Sequence, residues 1–221
     1  MNKKLLLTLG SVALIGAIGI GSTFAYLTAS TGEVTNKFEI GYIGLDGTIT
    51  LDEAKVGVDG LALTGDDAAR VNANDYTNLF PGQVVDKDPT VHVTTDTTLD
   101  AYIFVEVDNA DFVDGADGAD GTLVQKSGNA VLLTTDAIDK DVWTYLGTNG
   151  NGNAVFYTVH EATAAEDYTL FTKVTVNTAL TNGQEFEKIV VDAAAVQYAM
   201  FEDSAENAFA QTDLYVDADA E

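Results

Sequence analysis

Residues 101–107, Ala-Tyr-Ile-Phe-Val-Glu-Val, decide how the rest of the chain is read. β-Branched and aromatic side chains dominate a nearly continuous apolar run of strand length, which predicts a strand buried on both faces. The same grammar extends outward in both directions. Upstream, Phe38, Ile40 and Tyr42 alternate with Glu39 and Gly41, Ile49-Thr50-Leu51 follows an Asp46-Gly47 turn, and Val91-His92-Val93 alternates again. Downstream, 155–159, 172–176 and 189–191 continue it, extended by Val196 and Tyr198, with Gly/Asn turns at 147–153 and 181–183 between them.

Helix signals are scarce. Asp203-Ser-Ala-Glu206 has capping-box spacing ahead of Ala208 and Phe209 and predicts one short helix. The Ala/Gly/Asp-rich stretch 52–78 suits either a helix or an irregular excursion. Both prolines lie within 79–91, where Pro81-Gly82 marks a turn and Pro89 stands at the mouth of a strand, a place that tolerates a missing N–H. Eight or more short strands with little helix point to an all-β fold: an antiparallel two-sheet β-sandwich of jelly-roll type with short helical insertions.

The amino terminus is of another kind. Lys3 and Lys4 precede an uncharged, mostly apolar stretch from Leu5 to Gly21, and Thr23-Phe24-Ala25 puts small residues at −3 and −1 of a cleavage site. Residues 1–25 therefore read as a cleavable signal peptide, with the cut between Ala25 and Tyr26. An uncleaved anchor is the competing reading, although the stretch falls short of the roughly 20 apolar residues of a membrane span. Three regions result: 1–25 the signal, 26–37 a mature amino-terminal segment, and 38–221 the β domain. Removing Lys3 and Lys4 with the signal moves the formal charge from −25 to −27. Such a field repels nucleic acid and anionic lipid, leaving the uncleaved signal as the expected contact with membrane. A hydrophobic fraction of 46% separates the chain from an acidic disordered tail. It has no cysteine, so an exported domain of this kind must be held by its core, by metal or by neighbouring subunits. No LPxTG-like motif precedes 213–221, and covalent wall attachment by that route is not expected.

In order and spacing, several pieces of the chain resemble the TasA/camelysin family of secreted bacterial proteins. They are Gly21-Ser-Thr-Phe-Ala-Tyr-Leu-Thr28, Asn36-Lys-Phe-Glu-Ile-Gly41, Pro81-Gly82, Lys87-Asp-Pro-Thr-Val91 and Asp100 through Val107, then Trp143, Phe156-Tyr157, Leu170-Phe171 with Val174 and Val176, and Val191 through Gln197. The resemblance implies a jelly-roll subunit that polymerises head to tail into extracellular fibres of the biofilm matrix or cell surface of a Gram-positive-type bacterium. It implies a dedicated signal peptidase and an accessory matrix protein as further partners. It also implies that the segment 26–37 is a donor strand for the next subunit, with Tyr26, Leu27 and Val34 as contacts. Twelve extended residues span roughly 40 Å, enough to reach a neighbour. An open edge accepts a strand through its main chain, and a head-to-tail contact of that kind does not close. Read on its residues alone, Ser30-Thr31-Gly32-Glu33 is a weak strand, and an ordinary disordered terminus is the plainer expectation.

Camelysin-type relatives are classed as metalloproteases, so a secreted zinc protease is the first alternative. Zinc hydrolysis needs three protein ligands and a water. Only His92 and His160 are present, and neither belongs to an HExxH motif. His92, between two valines, reads as an outward-facing strand residue. Thiol catalysis lacks a cysteine, and no GxSxG elbow serves Ser/His/Asp chemistry. Asp114, Asp117 and Asp120 recur at intervals of three in 111–121, a hard-oxygen set that suggests calcium but lacks EF-hand spacing; a solvated hairpin loop is the plainer reading. Trp143 and the strand aromatics suggest a carbohydrate platform, hence a monomeric adhesin or carbohydrate-binding module as the second alternative, but their positions favour core packing. The expectation is a non-enzymatic structural protein with no assigned catalytic, cofactor or metal residue.

Overall fold

The computed structural model describes residues 28–30, 49–93, 100–116, 119–127, 130–162, 165–180, 186, 188–201 and 204–216. These form fourteen strands and one short helix: β1 (Thr28–Ser30), β2 (Ile49–Ala54), β3 (Arg70–Val71), β4 (Val84–Asp86), β5 (Thr90–Val93), β6 (Ala101–Val107), β7 (Asp111–Val113), β8 (Thr122–Ser127), β9 (Ala130–Thr135), β10 (Thr144–Thr148), β11 (Ala154–His160), β12 (Glu166–Thr169), β13 (Lys173–Val176), β14 (Val191–Gln197) and α1 (Ala205–Phe209). All the strand pairs are antiparallel. The all-β, sandwich-like expectation holds.

β6 is the axis of the molecule. It lies between β14 and β11 in the sheet ordered β1-β14-β6-β11-β10, and every one of its residues is buried. Alternation divides the side chains between two apolar clusters. Ala101, Ile103, Val105 and Val107 enter the main core, whereas Tyr102 and Phe104 enter a second cluster closed by Ala205, Ala208, Phe209 and Leu214 of the carboxy-terminal segment. The apolar run of β6 thus reflects one face on the opposing sheets and the other under α1.

Three hydrogen-bonded sheets occur where two were expected. Besides the β6 sheet there are β12-β5-β2-β3 and β4-β13-β9-β8-β7. The last two are linked. Thr169 pairs with Thr90 and Lys173 with Asp86, a step of four residues on each strand, so a single register runs through both pairings. Across the break, Leu170 N–H donates to the Pro89 carbonyl and Lys87 N–H to that of Thr172, both at 3.0 Å. Pro89 has no N–H to give, and there the ladder stops being regular and the two sheets part company. Both contribute to the main core opposite β6, through Ile49, Val91, Val93 and Tyr168 on one side and Leu123, Leu132, Val174 and Val176 on the other.

Pro81-Gly82 is a turn as expected: Gly82 has φ +82° and Gln83 N–H closes on the Phe80 carbonyl at 3.0 Å. The stretch 52–78 holds no α-helix: it carries the end of β2, a 3-10 turn at Gly65–Asp67 and β3, and is otherwise irregular. The helix forms, but its cap is Ser204, whose hydroxyl accepts from Asn207 N–H at 3.1 Å. The predicted cap, Asp203, lies outside the described residues. Tyr198 belongs to a 3-10 turn (Tyr198–Met200) and does not extend β14. The predicted strand around 38–42 and the turn at 181–183 also lie outside the described residues.

Candidate functional site: the outer edge of the last strand

β14 carries Asp192-Ala-Ala-Ala-Val-Gln197 between two apolar layers. Val191, Ala193 and Ala195 face the main core, and Ala194 and Val196 face the cluster under α1. One edge of β14 pairs with β6 over all seven residues. The other edge receives β1 over three, with Thr28 opposite Val196, Ala29 opposite Ala195 and Ser30 opposite Ala194. These three residues belong to the predicted donor segment 26–37 and occupy their own subunit's sheet. Ala25, Tyr26, Leu27 and Val34 lie outside the described residues.

The remaining sheet margins are guarded in the ways that keep natural edges from pairing. β10 is bulged between Tyr145 and Gly147, where Gly147 has φ +136°. β7 and β3 are short, and β7 carries the ion pair of Asp111 with Lys126 at 2.8 Å. β4 is flanked by the 57–62 loop, with Asp86 N–H donating to the Gly60 carbonyl at 2.8 Å. β12 presents Glu166 and Asp167. β14 is therefore a seven-residue strand whose outer side is paired over three residues with β1, from the far end of the chain.

A charged ladder crosses the sheet of β12, β5, β2 and β3 on its outward face. His92 on β5 holds Asp167 of β12 through Nδ1 at 2.7 Å and Asp52 of β2 through Nε2 at 2.8 Å. Arg70 of β3 bonds the same Asp52 carboxylate and reaches Asp88 at 2.9 Å. Burial opposes charge on the His92 ring, but hydrogen bonds to Asp52 and Asp167 and their negative charge outweigh it and raise its pKa. His92 does face outward, but as a clasp between three strands.

His160 lies elsewhere. It is fully buried on β11, in a different sheet, with Nδ1 3.0 Å from the Tyr168 hydroxyl, which donates to Glu166 at 2.7 Å. Burial, then the adjacent Glu166, pushes the Tyr168 phenol well above its ordinary value. The structure does not bring the two histidines into one site, and among the described residues no three His, Asp or Glu side chains converge as metal ligands. Asp114 and Asp120 fall in the hairpin loop joining β7 to β8, with Asp120 accepting from Lys140 N–H at 3.3 Å; Asp117 lies outside the described residues. Trp143 is 2% exposed and donates its indole N–H to the Thr169 carbonyl at 3.0 Å, a core residue and not a sugar platform.

Glu106 is a buried carboxylate that no sequence motif marks. It accepts from the amides of Asn149 at 2.9 Å and Asn153 at 2.5 Å, and burial raises its pKa against those bonds. The Asn-rich turn at 147–153 was the available signal, since its amides have to find acceptors. Comparison of the chain with protein-family models, with curated proteins and with solved structures finds no match.

Proposed function

We propose that this chain is a secreted structural protein whose subunits join into extracellular fibres by strand exchange at the outer edge of β14. The observation that carries the reading is the β1–β14 pairing: a three-residue strand from the amino-terminal segment lies along the outer edge of a seven-residue strand. The same segment from a second subunit would make the same main-chain bonds, so exchange changes the owner of the strand and not the interaction. Cleavage between Ala25 and Tyr26 would free the segment to move. The jelly-roll character, the kinship with TasA-like proteins, the matrix location and the absence of enzymatic activity belong to this same proposal.

The test uses the Tyr26–Glu221 form, which has no native cysteine. In the double variant Ala29→Cys/Ala195→Cys, oxidation of the monomer ties β1 to its own β14, and filaments seen by negative-stain microscopy should disappear until reductant is added. Mixed single variants should form disulfides between subunits inside filaments. Filaments from the locked monomer, or from a form lacking 26–37, would rule out strand exchange.

A further inference from the structure

The sheet β4-β13-β9-β8-β7 turns one face to the main core and the other outward. Val85, Leu123, Leu133 and Val174 point inward. Their strand neighbours point the other way, and the register sets Asp111, Val124, Thr134, Thr175 and Val84 side by side in one row from β7 to β4. At the two margins of this face, Val84 and Val113 are 45% and 47% exposed. Charge sets the face apart. Its five strands carry four charged residues in two ion pairs, Lys173 with Asp86 and Lys126 with Asp111, so they sum to zero. The strands of the sheet β12-β5-β2-β3 carry Asp52, Glu53, Glu166 and Asp167 against Arg70, four acids to one base, with His92 beside them. The outward side of the β6 sheet lies under the carboxy-terminal segment.

We propose that a second copy of this chain docks on this face, sheet against sheet, around a two-fold axis near Thr134 on the middle strand. Charge selects that occupant. In a chain of formal charge −25, copies approach each other at least cost where neither brings net charge. A basic partner is drawn to the acidic faces, whereas a like copy is repelled from them. Lys173 and Lys126 flank β9, and each already holds a carboxylate, so apposition buries neither ammonium unpaired. The Val and Thr side chains between them are stiff and lose little rotamer freedom when covered. Size limits the strength. Five strands about 4.8 Å apart, the longest of six residues at about 3.3 Å each, make a face no larger than roughly 24 by 20 Å. Two such faces bury about 1,000 Å², below the roughly 1,200–2,000 Å² of a stable pair. The isolated pair is therefore transient. In the fibres of the proposed function, on which this last step alone rests, the contact repeats from subunit to subunit and its strength accumulates.

Sedimentation equilibrium tests the pair on the oxidised Ala29→Cys/Ala195→Cys monomer, in which strand exchange is blocked. The docking face does not include β14, so this result and that of the strand-exchange test are read separately. In about 0.15 M salt, where charges reach only about 8 Å, the apparent mass should rise toward that of a dimer as concentration approaches about 1 mM. Thr134→Glu and Thr134→Lys, each alone, set like charges against each other across the axis and should abolish the rise. An equimolar mixture of the two should restore it. Unchanged melting temperatures separate lost docking from lost folding; if either variant melts lower, the exposed Thr175, changed to Glu and to Lys, carries the same test. An apparent mass that stays monomeric throughout, or that rises undiminished in both variants, would overturn the proposal. Loss in both without recovery in the mixture would overturn it too, because the face would then meet a different surface.

Discussion

At the scale of single residues, chemistry was most legible where a side chain had one sensible place to go. The indole of Trp143 needed both burial and an acceptor, and it has both. Glu106 and Glu53 were not legible, because a buried carboxylate is identified by partners remote in sequence: Asn149 and Asn153 for one, Lys87 and Asn74 for the other. The same holds for Gly121. Nothing in Asp120-Gly121-Thr122 sets it apart, yet a Cβ there would run into the ring of Phe112. That ring is wedged between Tyr145, 4.5 Å away, and Phe156, 5.2 Å away, and has nowhere to go. Gly121→Ala should therefore destabilise the fold by about 1–3 kcal/mol, the usual range for overpacking. Urea unfolding monitored by tryptophan fluorescence would measure it, and an unchanged midpoint would mean that the ring yields.

At the scale of elements, β6 announced itself because burial on two faces leaves a continuous apolar run. β12, Glu166-Asp-Tyr-Thr169, did not: three polar residues in four hide a strand whose only inward side chain is Tyr168. β1 is harder still, since only Thr28 of its three residues favours a strand and the pairing is fixed by where β14 lies. The sheet containing β12 carries a pH dependence. His92 has a raised pKa, so the stabilisation from its protonated ring is fully present below about 6.5, the ordinary histidine value. It is lost as pH rises through the raised value. The neutral ring can donate to only one of Asp52 and Asp167, and β12 loses its clasp to β5 and β2. Lower pH also relieves the self-repulsion of an acidic chain, so the comparison must be with His92→Gln. Above the titration, melting temperatures of the two proteins should converge; towards pH 6 the wild type should melt higher. Parallel curves across the range would show that the clasp adds nothing.

At the scale of the whole molecule, charge governs association. A formal charge of −25, or −27 under the proposed cleavage, sets every copy against every other. Ions at about 0.15 M shorten the reach of that repulsion to about 8 Å. Under the proposed function, filament growth followed by light scattering should accelerate as sodium chloride rises from low concentration to that value. A rate that falls with salt would mean that attraction between charges, and not strand exchange against repulsion, drives assembly.

The order β1-β14-β6-β11-β10 has a consequence for how the chain comes into being. The central strand waits for a neighbour that begins at Val191, and Thr28 waits for Val196, so the earliest-made and latest-made parts of the main sheet meet last. A polypeptide emerging amino end first cannot complete this sheet before Val191–Gln197 has been made. Pairings this distant in sequence form slowly. For a chain exported as proposed, this topology delays completion of the main sheet until β14 has come through.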